Sequence, residues 1–256
     1  MIKKAFENGV LTLTLNRPKV FNSFNREMAL ELQSELDKAN DREDVRAIII
    51  TGEGKAFCAG QDLGEAIDEN GPELKEIVDK HYNPMISKIR TIEKPIIAAV
   101  NGIAAGAGAN IALACDIVIA NESASFIQAF SKIGLIPDSA GTFFLPRLIG
   151  MQKAAALMMT GDKISAEEAE KMGMIYKAVS NEDFESETNK IAGNLAKMPT
   201  KAMGLTKRAL NKSYSNTLEE QLAFESDLQV IAGKTHDFKE GIDAFLEKRK
   251  PEFKGK

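Results

Sequence analysis

The distribution of apolar residues predicts an α/β fold. Three segments, at 45–51, 96–100 and 117–120, are almost continuously apolar and too short to be typical helices. Runs of this kind are typical of strands that are covered on both faces of a sheet. Segments with helical periodicity separate them, and strands that alternate with helices indicate a parallel sheet with crossover connections.

The other early elements can be assigned in chain order. Residues 10–15 alternate between apolar and polar side chains, which predicts a half-buried strand. A short helix is predicted over 110–114. Two longer helices are predicted from apolar residues at three- and four-residue steps. These residues are Ala29, Leu32, Leu36 and Ala39 in the first helix, and Met85, Ile89 and Ile92 in the second.

The chain is predicted to be helical from about residue 140 onward. Ser165 and Thr217 each begin a capping-box pattern, in which an N-cap hydroxyl is followed three residues later by a glutamate. A last helix is expected over 238–250, where a proline ends it. We therefore divide the chain into a core of residues 1–195 and a C-terminal helical region of residues 196–256.

Composition and charge argue against several classes of function. The 256 residues include 33 basic and 37 acidic side chains, which give a net charge of −4. Because phosphate binding needs a basic face, we expect no nucleic-acid partner. The nearly uncharged segment 95–120 is interrupted by glycines, asparagines and Asp116, so we expect no membrane span. Cys58 and Cys115 are predicted to be free thiols in a reducing compartment, which favours a cytoplasmic location.

Two glycine-containing stretches, at 55–63 and 101–110, each follow a predicted strand. Small residues there either let a helix pack closely on the sheet or let a ligand approach the main chain. In the second case, unpaired N–H groups from the two turns can converge on one substrate oxygen and stabilise its negative charge. The spacing by itself leaves both interpretations open.

A third stretch, at 126–141, contains Asp138 between a proline and a serine, just before a predicted helix. One interpretation is an aspartate that caps the helix or stabilises a turn. The other is a single carboxylate that projects into an apolar pocket. Composition does not decide between the two.

Several other chemistries lack their sequence motifs. The segment 106–111 has no third glycine at the spacing of a dinucleotide-binding turn. No phosphate-binding loop, zinc-ligand spacing or nucleophile elbow is present, so no metal site is expected. His81 and His236 are the only histidines. Both lie in polar helical surroundings and are predicted to be at the surface, which argues against a Ser-His-Asp triad.

In order and spacing, the three stretches resemble the enoyl-CoA hydratase/isomerase (crotonase) superfamily, and the resemblance covers essentially the whole chain. It is carried by Asn16-Arg17-Pro18, FCAGQDL, KPIIAAVNGIAAGAG, Cys115-Asp116-Ile117, IGLIPDSAG and the closing FLEKRKPEFKGK. The resemblance implies a ββα-spiral core, a C-terminal helical trimerisation region and assembly as a homotrimer or a dimer of trimers. It also implies an acyl-coenzyme A thioester as substrate, with no cofactor other than the coenzyme A of the substrate.

The resemblance further implies where the substrate binds. The main-chain N–H groups of Gln61 and Ala107 would form the oxyanion hole, and Phe245 and Lys248 would touch the nucleotide end of a substrate held by a neighbouring subunit. Within its segment, Asp62 is expected to stabilise a turn. The residues that would flank the substrate within one subunit are Val20, Phe21, Ala59, Gly60, Gln61, Asp62, Leu63, Gly106, Ala107, Asn110 and Phe130.

Two departures from the family pattern bear on the reaction. Hydratases of this family carry two glutamates, and the corresponding positions here are Asn110 and Phe130, neither of which can transfer a proton. Because hydration needs one group to activate water and another to manage the α-proton, the resemblance favours an isomerase in which Asp138 is the single acid–base group.

The predicted isomerase would catalyse one or both of two reactions. One converts 1,2-epoxyphenylacetyl-CoA to oxepin-CoA, and the other shifts the double bond of a 3-enoyl-CoA to the 2-position. The alternatives are a 2-enoyl-CoA hydratase and a non-catalytic relative that binds coenzyme A or RNA.

Overall fold

The computed structural model describes residues 1–69 and 71–256. The strands in this part of the chain are β1 (Ile2–Glu7), β2 (Val10–Leu15), β3 (Ala47–Gly52), β4 (Ala56–Cys58), β5 (Ile96–Val100), β6 (Ile103–Ala105), β7 (Ile117–Asn121), β8 (Ser125–Ile127), β9 (Lys163–Ser165) and β10 (Lys177–Val179).

The helices complete the secondary structure of the same residues. The α-helices are α1 (Arg26–Asp41), α2 (Leu63–Ala66), α3 (Leu74–Glu76), α4 (Asn83–Thr91), α5 (Ala107–Ala114), α6 (Gly141–Ile149), α7 (Met151–Thr160), α8 (Ala166–Lys171), α9 (Phe184–Ala196), α10 (Thr200–Ser213), α11 (Leu218–Ala232) and α12 (His236–Glu247). A π-helix spans Ile77–Tyr82, and short 3₁₀ helices span Pro18–Val20 and Ala129–Ile133.

The strands form two sheets in a mixed α/β fold. The first sheet has six strands in the order β1-β2-β3-β5-β7-β10, and only β1 pairs antiparallel with its neighbour. The second sheet has four strands in the order β4-β6-β8-β9, in which β4, β6 and β8 pair in parallel and β9 is antiparallel. From β3 to β8 the chain therefore alternates between a long strand in the first sheet and a short strand in the second.

This alternation produces a spiral of ββα units. Strands β3 and β4 lead into α2, β5 and β6 lead into α5, and β7 and β8 lead through a 3₁₀ helix into α6. Each turn of the spiral adds one strand to each sheet. The carboxyl ends of β4, β6 and β8 consequently lie at the same edge of the second sheet.

The interior follows the apolar pattern of the sequence. The inward side chains of β2 and β3, together with one face of α1, form the main core, in which Leu13, Leu32 and Ile50 are fully buried. A second cluster, which includes Ile49 and Ile97, lies against α9 on the opposite face of the first sheet. The prediction that the apolar strands are covered on both faces is therefore confirmed.

Other sequence predictions are confirmed or corrected by the described residues. The capping boxes at Ser165 and Thr217 are both present. The prediction of only helices after residue 140 is wrong, since β9 and β10 complete the two sheets. The last helix ends at Glu247, before the predicted position, because Lys248 adopts a left-handed conformation with φ of 56°. The boundary between residues 195 and 196 stays a prediction.

A buried group of charges attaches α10 to the body of the fold. The Asp116 carboxylate accepts hydrogen bonds from Lys207 Nζ at 2.8 Å, from Arg90 Nη1 at 3.2 Å and from the Ile96 amide at 2.8 Å. Burial lowers the pKa of Lys207, and the negative charge of Asp116 opposes that shift. Asp116 therefore stabilises the charged form of a lysine that lies almost entirely out of water.

We expect Asp116→Ala to destabilise the protein by about 3 kcal/mol, because it leaves the buried Lys207 charge without its carboxylate partner. Urea denaturation would measure the loss. Asp44→Ala removes the exposed ion pair with Arg42, and this control should leave the unfolding midpoint unchanged. Equal midpoints for Asp116→Ala and wild type would contradict the stabilising role of Asp116.

Candidate active site

The three stretches singled out in the sequence meet at one edge of the second sheet. Gln61 follows the end of β4, Ala107 follows the end of β6, and Asp138 follows β8 after the 3₁₀ helix. Because these three strands are parallel neighbours, the segments that leave them occupy adjacent positions. The carboxyl edge of a parallel sheet is a common location for ligand sites.

Gly60 brings the first two segments into close approach. Its φ is +92°, a left-handed conformation that favours glycine. A Cβ atom added to Gly60 would lie 3.3 Å from the amide nitrogen of Ala107 and 3.0 Å from the carbonyl oxygen of Ala105. Within the described chain, neither the Gln61 nor the Ala107 main-chain N–H donates a hydrogen bond to a protein group. Both N–H groups are thus left for another acceptor.

The side chain of Gln61 is fixed by two neighbours. Tyr82 donates its hydroxyl to Gln61 Oε1 at 2.9 Å, and Gln61 Nε2 donates to Glu65 Oε2 at 3.0 Å. The carboxylate of Glu65 also accepts the main-chain N–H of Arg26. These contacts fix the position of Gln61, whose main-chain N–H is free, and they connect Gln61 to α1.

Tyr82 is a site residue that sequence reasoning missed. It is fully buried, and burial, with a smaller contribution from the nearby carboxylate of Asp138, raises its pKa. Its hydroxyl therefore stays protonated and remains a donor. A signal was present in the sequence, since Tyr82 precedes Met85 by three residues and Ile89 by seven, which places it on the predicted apolar face.

Asp138 lies mostly out of water at the end of the third stretch. Burial raises the pKa of its carboxyl group, while a hydrogen bond from Ser139 Oγ at 2.9 Å acts in the opposite direction. The next two residues, Ser139 and Ala140, have φ of 50° and 58°. Two consecutive left-handed residues that are not glycine are strained, and such strain is concentrated at functional sites.

Two further predicted residues lie beside Asp138 and the Gly106 turn. The Nδ2 of Asn110 donates to the main-chain oxygen of Asp138 at 2.9 Å, and Asn110 Oδ1 accepts from Gln128 Nε2 at 2.9 Å. Sequence reasoning missed Gln128. Phe130 is buried, and a Cβ atom added to Gly106 would lie 3.8 Å from its ring. An apolar ring therefore lies against the Gly106 turn, and two buried amides lie behind the main chain of Asp138.

The turn after β2 lies against the same segment. The main-chain oxygen of Phe21 accepts the N–H of Ala59 at 2.9 Å, and the side chains of Val20 and Phe21 are exposed. The carboxylate of Asp62 binds Arg17 at 2.8 Å and accepts the N–H of Gly64 in the first turn of α2. Asp62 therefore stabilises the turn, as expected, and the adjacent Leu63 side chain is exposed.

Two other predicted site residues do not join this site within one chain. Phe245 is 82% exposed on α12, and Lys248 follows that helix. Neither is linked to the site by a hydrogen bond or ion pair of the described residues, and their contact with a neighbouring subunit stays a prediction. The prediction that His81 is a surface residue is wrong, because it is only 2% exposed in the π-helix. His236 is partly exposed, as predicted.

The described residues contain neither a metal-binding cluster nor a helix that could cross a membrane. No group of three or more histidine, cysteine, aspartate or glutamate side chains is arranged to hold a metal ion. None of the helices has both the length and the apolar composition to span a bilayer. Cys58 and Cys115 are buried free thiols, and burial raises the pKa of each to about 12.

The geometry combines a partly buried carboxyl group with two unpaired main-chain N–H groups. These are groups that an enzyme can use to move a proton while it stabilises an anion on its substrate. The fold and the site thus define a class of α/β-spiral proteins with a carboxyl group and a main-chain donor pair at one sheet edge.

Comparison with known proteins assigns the family. A family model described as enoyl-CoA hydratase/isomerase matches residues 5–256, and the chain belongs to this family of enzymes that act on acyl-CoA. The 1,2-epoxyphenylacetyl-CoA isomerase of Escherichia coli is 47% identical over 98% of this chain and 97% of its own length. A Rhodobacter capsulatus protein named "Probable enoyl-CoA hydratase" is 46% identical over 100% of this chain and 98% of its own.

Solved structures agree with this assignment. The crystal structure of an enoyl-CoA hydratase from Polaromonas has a TM-score of 0.92 and 38% sequence identity, and covers 98% of this chain and 99% of that one. The predicted crotonase fold is therefore confirmed. Names of both isomerases and hydratases occur among the relatives, so family membership leaves the reaction type to be argued from the residues.

Asp138→Asn should raise the thermal unfolding midpoint at neutral pH. The folded state raises the pKa of Asp138 above that of the unfolded chain, so folding with an ionised Asp138 is disfavoured. This penalty is present above the folded-state pKa and disappears as the pH falls below the unfolded value of about 4. The gain in midpoint should therefore shrink as the protein is acidified.

Melting curves at several pH values would measure this difference. The control is Asp227→Asn, which changes an exposed aspartate on α11 and should give no pH-dependent difference from wild type. If Asp138→Asn does not raise the unfolding midpoint at neutral pH, or raises it equally at every pH, Asp138 carries no burial penalty.

Proposed function

We propose that the protein is an acyl-CoA isomerase in which Asp138 is the single acid–base residue. The observation that carries the proposal is a partly buried carboxyl group with a raised pKa at the same sheet edge as the free N–H groups of Gln61 and Ala107. Support also comes from Asn110 and Phe130, since neither side chain can exchange a proton with the substrate. Water activation by residues at those positions is therefore excluded.

The mechanism needs one base that acts twice. For a 3-enoyl-CoA, the ionised Asp138 takes a proton from C2, and the electron pair is delocalised onto the thioester oxygen. The Gln61 and Ala107 N–H groups donate to that oxygen, and each such donor contributes about 3 kcal/mol to lowering the barrier. Asp138 then returns the proton to C4, which leaves the double bond between C2 and C3.

The surroundings of Asp138 favour this relay over hydration. Phe130 is buried beside Gly106 and limits the access of water to the turn that carries Ala107. A carboxyl group with a raised pKa is a better proton donor and acceptor near neutral pH than an ordinary aspartate. The proton that Asp138 removes is thus retained for return to the substrate.

The proposed acyl group is a ring epoxide. The 47% identity to 1,2-epoxyphenylacetyl-CoA isomerase supports 1,2-epoxyphenylacetyl-CoA as substrate, with oxepin-CoA as product and a place in phenylacetate degradation. A shift of an enoyl double bond would be a second activity of the same site. No cofactor beyond the coenzyme A of the substrate is proposed.

We also propose that the protein is a homotrimer or a dimer of trimers in the cytoplasm. Side chains of α12 support the assembly, because Phe238, Ile242, Phe245 and Leu246 are all exposed and exposed apolar patches are typical of interfaces. The two buried free thiols suit a reducing compartment. In the trimer, Phe245 and Lys248 would reach the coenzyme held by a neighbouring subunit.

The proposal is tested by supplying the purified protein with three substrates, namely 3-enoyl-CoA, 2-enoyl-CoA and 1,2-epoxyphenylacetyl-CoA, and identifying the products by chromatography. Isomerisation of the epoxide or the 3-enoyl substrate is expected. Asp138→Asn should lower kcat by at least about 100-fold, because the amide cannot accept the proton. Asp227→Asn should have the activity of wild type.

Each other outcome contradicts the proposed mechanism or identifies a different function. Undiminished isomerisation by Asp138→Asn would rule out the proposed mechanism. Efficient hydration of the 2-enoyl substrate without isomerisation would identify a hydratase. Binding of CoA esters with no turnover would identify a non-catalytic relative.

Gly60→Ala should lower kcat by at least about 100-fold, the effect of losing one main-chain donor. The added Cβ would lie 3.3 Å from the Ala107 nitrogen, in the space that the thioester oxygen needs, and an L-residue at φ of +92° is strained. The control is Gly193→Ala in α9, where an added Cβ has no neighbour within 4 Å.

Steady-state kinetics of the two variants would measure the effect. Gly193→Ala should keep full activity and gain up to about 1 kcal/mol of stability from helix propensity. If Gly60→Ala folds and retains the wild-type kcat, the two N–H groups do not bind the thioester oxygen.

A further inference from the structure

Asn110 and Gln128 form a buried relay that ends on the main chain of Asp138. They are 1% and 2% exposed. The Asp138 carbonyl oxygen can only accept, so the Asn110 NH₂ group must face it, as it does at 2.9 Å. Asn110 Oδ1 then faces Gln128, which must present its own NH₂ group, also at 2.9 Å. The direction of every hydrogen bond is thus set by the Asp138 carbonyl.

This arrangement costs the protein a hydrogen bond. Because Gln128 turns its NH₂ group toward Asn110, its Oε1 is buried and has no partner among the described residues. A buried polar atom without a partner costs about 1–3 kcal/mol. An apolar side chain at position 128 would avoid that cost, so packing alone does not account for the glutamine.

The glycine that begins α6 provides the space for the relay. A Cβ atom added to Gly141 would lie 2.3 Å from Asn110 Nδ2, which is far closer than atoms can approach. The N–H of Gly141 donates to the same Asp138 carbonyl oxygen at 2.9 Å. Asn110 and Gly141 therefore hold this oxygen from two sides, directly before the strained residues Ser139 and Ala140.

We propose that Asn110 is a positioning residue for Asp138 and that Gln128 acts by orienting the amide of Asn110. The inference rests on the proposed isomerase function and adds to it. Asn110 exchanges no proton and needs no contact with the substrate. By fixing the carbonyl group of Asp138, it holds the left-handed turn that directs the carboxyl group, and a misplacement of about 1 Å can cost about 100-fold in rate.

A double-mutant cycle tests the relay. Asn110→Leu should lower kcat by about 100-fold and change KM by less than about threefold, because substrate binding is retained. Gln128→Met should lower kcat by less than about tenfold, since Asn110 can still donate to Asp138. The double variant should have the kcat of Asn110→Leu, because Gln128 acts only through Asn110. Independent structural roles would instead give multiplied losses.

Thermal melting supplies a second readout of the same cycle. In Asn110→Leu, Gln128 Nε2 loses its partner while Gln128 Oε1 already has none among the described residues, so adding Gln128→Met should raise the unfolding midpoint. Asn121→Leu changes another buried asparagine, on β7, whose Oδ1 accepts from Ser123. This control should lose stability and keep kcat. If Asn110→Leu does not fold, Gly141→Ala, which displaces the Asn110 amide, should give the same loss of kcat.

The outcomes separate this inference from the proposed function. One outcome is that Asp138→Asn is inactive while Asn110→Leu, or Gly141→Ala in its place, keeps the wild-type kcat. In that case the relay has no positioning role, and the proposed isomerase function still stands. Multiplied losses in the double variant would also overturn the relay. If Asp138→Asn remains fully active, the proposed function itself fails.

Discussion

The candidate site depends on the parallel pairing of three very short strands, β4, β6 and β8. Each contributes only three residues to the second sheet, yet their pairing places the segments after Cys58, Ala105 and Ile127 next to one another. A parallel arrangement aligns the carboxyl ends of strands, so residues that are distant in sequence leave the sheet at the same edge. The longer strands of the first sheet stabilise this arrangement because each spiral turn contributes to both sheets.

Several unfavourable features are concentrated at this edge. Asp138 is partly buried with a raised pKa, Ser139 and Ala140 adopt left-handed conformations, and Gln128 Oε1 has no partner among the described residues. Each of these is costly on its own. The apolar core on the two faces of the first sheet offsets such costs, and this separation of a well-packed core from a strained edge is expected of an enzyme.

The sequence predicted the first sheet better than the second. Strands such as Ile96–Val100 are long enough for an apolar run to be recognised, whereas β4, β6 and β8 are too short to show a period of two. The fold and the roles proposed for Gln61 and Ala107 came from the family resemblance, because an unpaired N–H group leaves no trace in side-chain chemistry. Tertiary contacts, such as that between Tyr82 and Gln61, could not be read from local spacing.

The incorrect prediction for His81 has a local physical cause. Polar neighbours on both sides suggested a solvated position, but the residue lies in a π-helix, where hydrogen bonds span five residues instead of four. His81 nevertheless precedes Met85 by four residues and Ile89 by eight, so helical spacing places it on the same apolar face as Tyr82, and both side chains are buried. The prediction failed because it relied on the polarity of the neighbouring residues instead of on this spacing, and π-helical turns are frequent at functional sites.

Position 110 shows why hydration and isomerisation would exclude each other in this chain. In the hydratase pattern, a glutamate at this position transfers a proton. An ionised carboxylate has no N–H group, so it could not donate to the main-chain oxygen of Asp138 as Asn110 does at 2.9 Å.

A glutamate at position 110 would instead bring its negative charge close to that carbonyl oxygen and to the carboxyl group of Asp138. A second carboxylate nearby raises the pKa of the first, which would leave Asp138 protonated when it must act as a base. An asparagine at this position therefore both removes the group that hydration needs and supplies the donor that a single-aspartate mechanism uses.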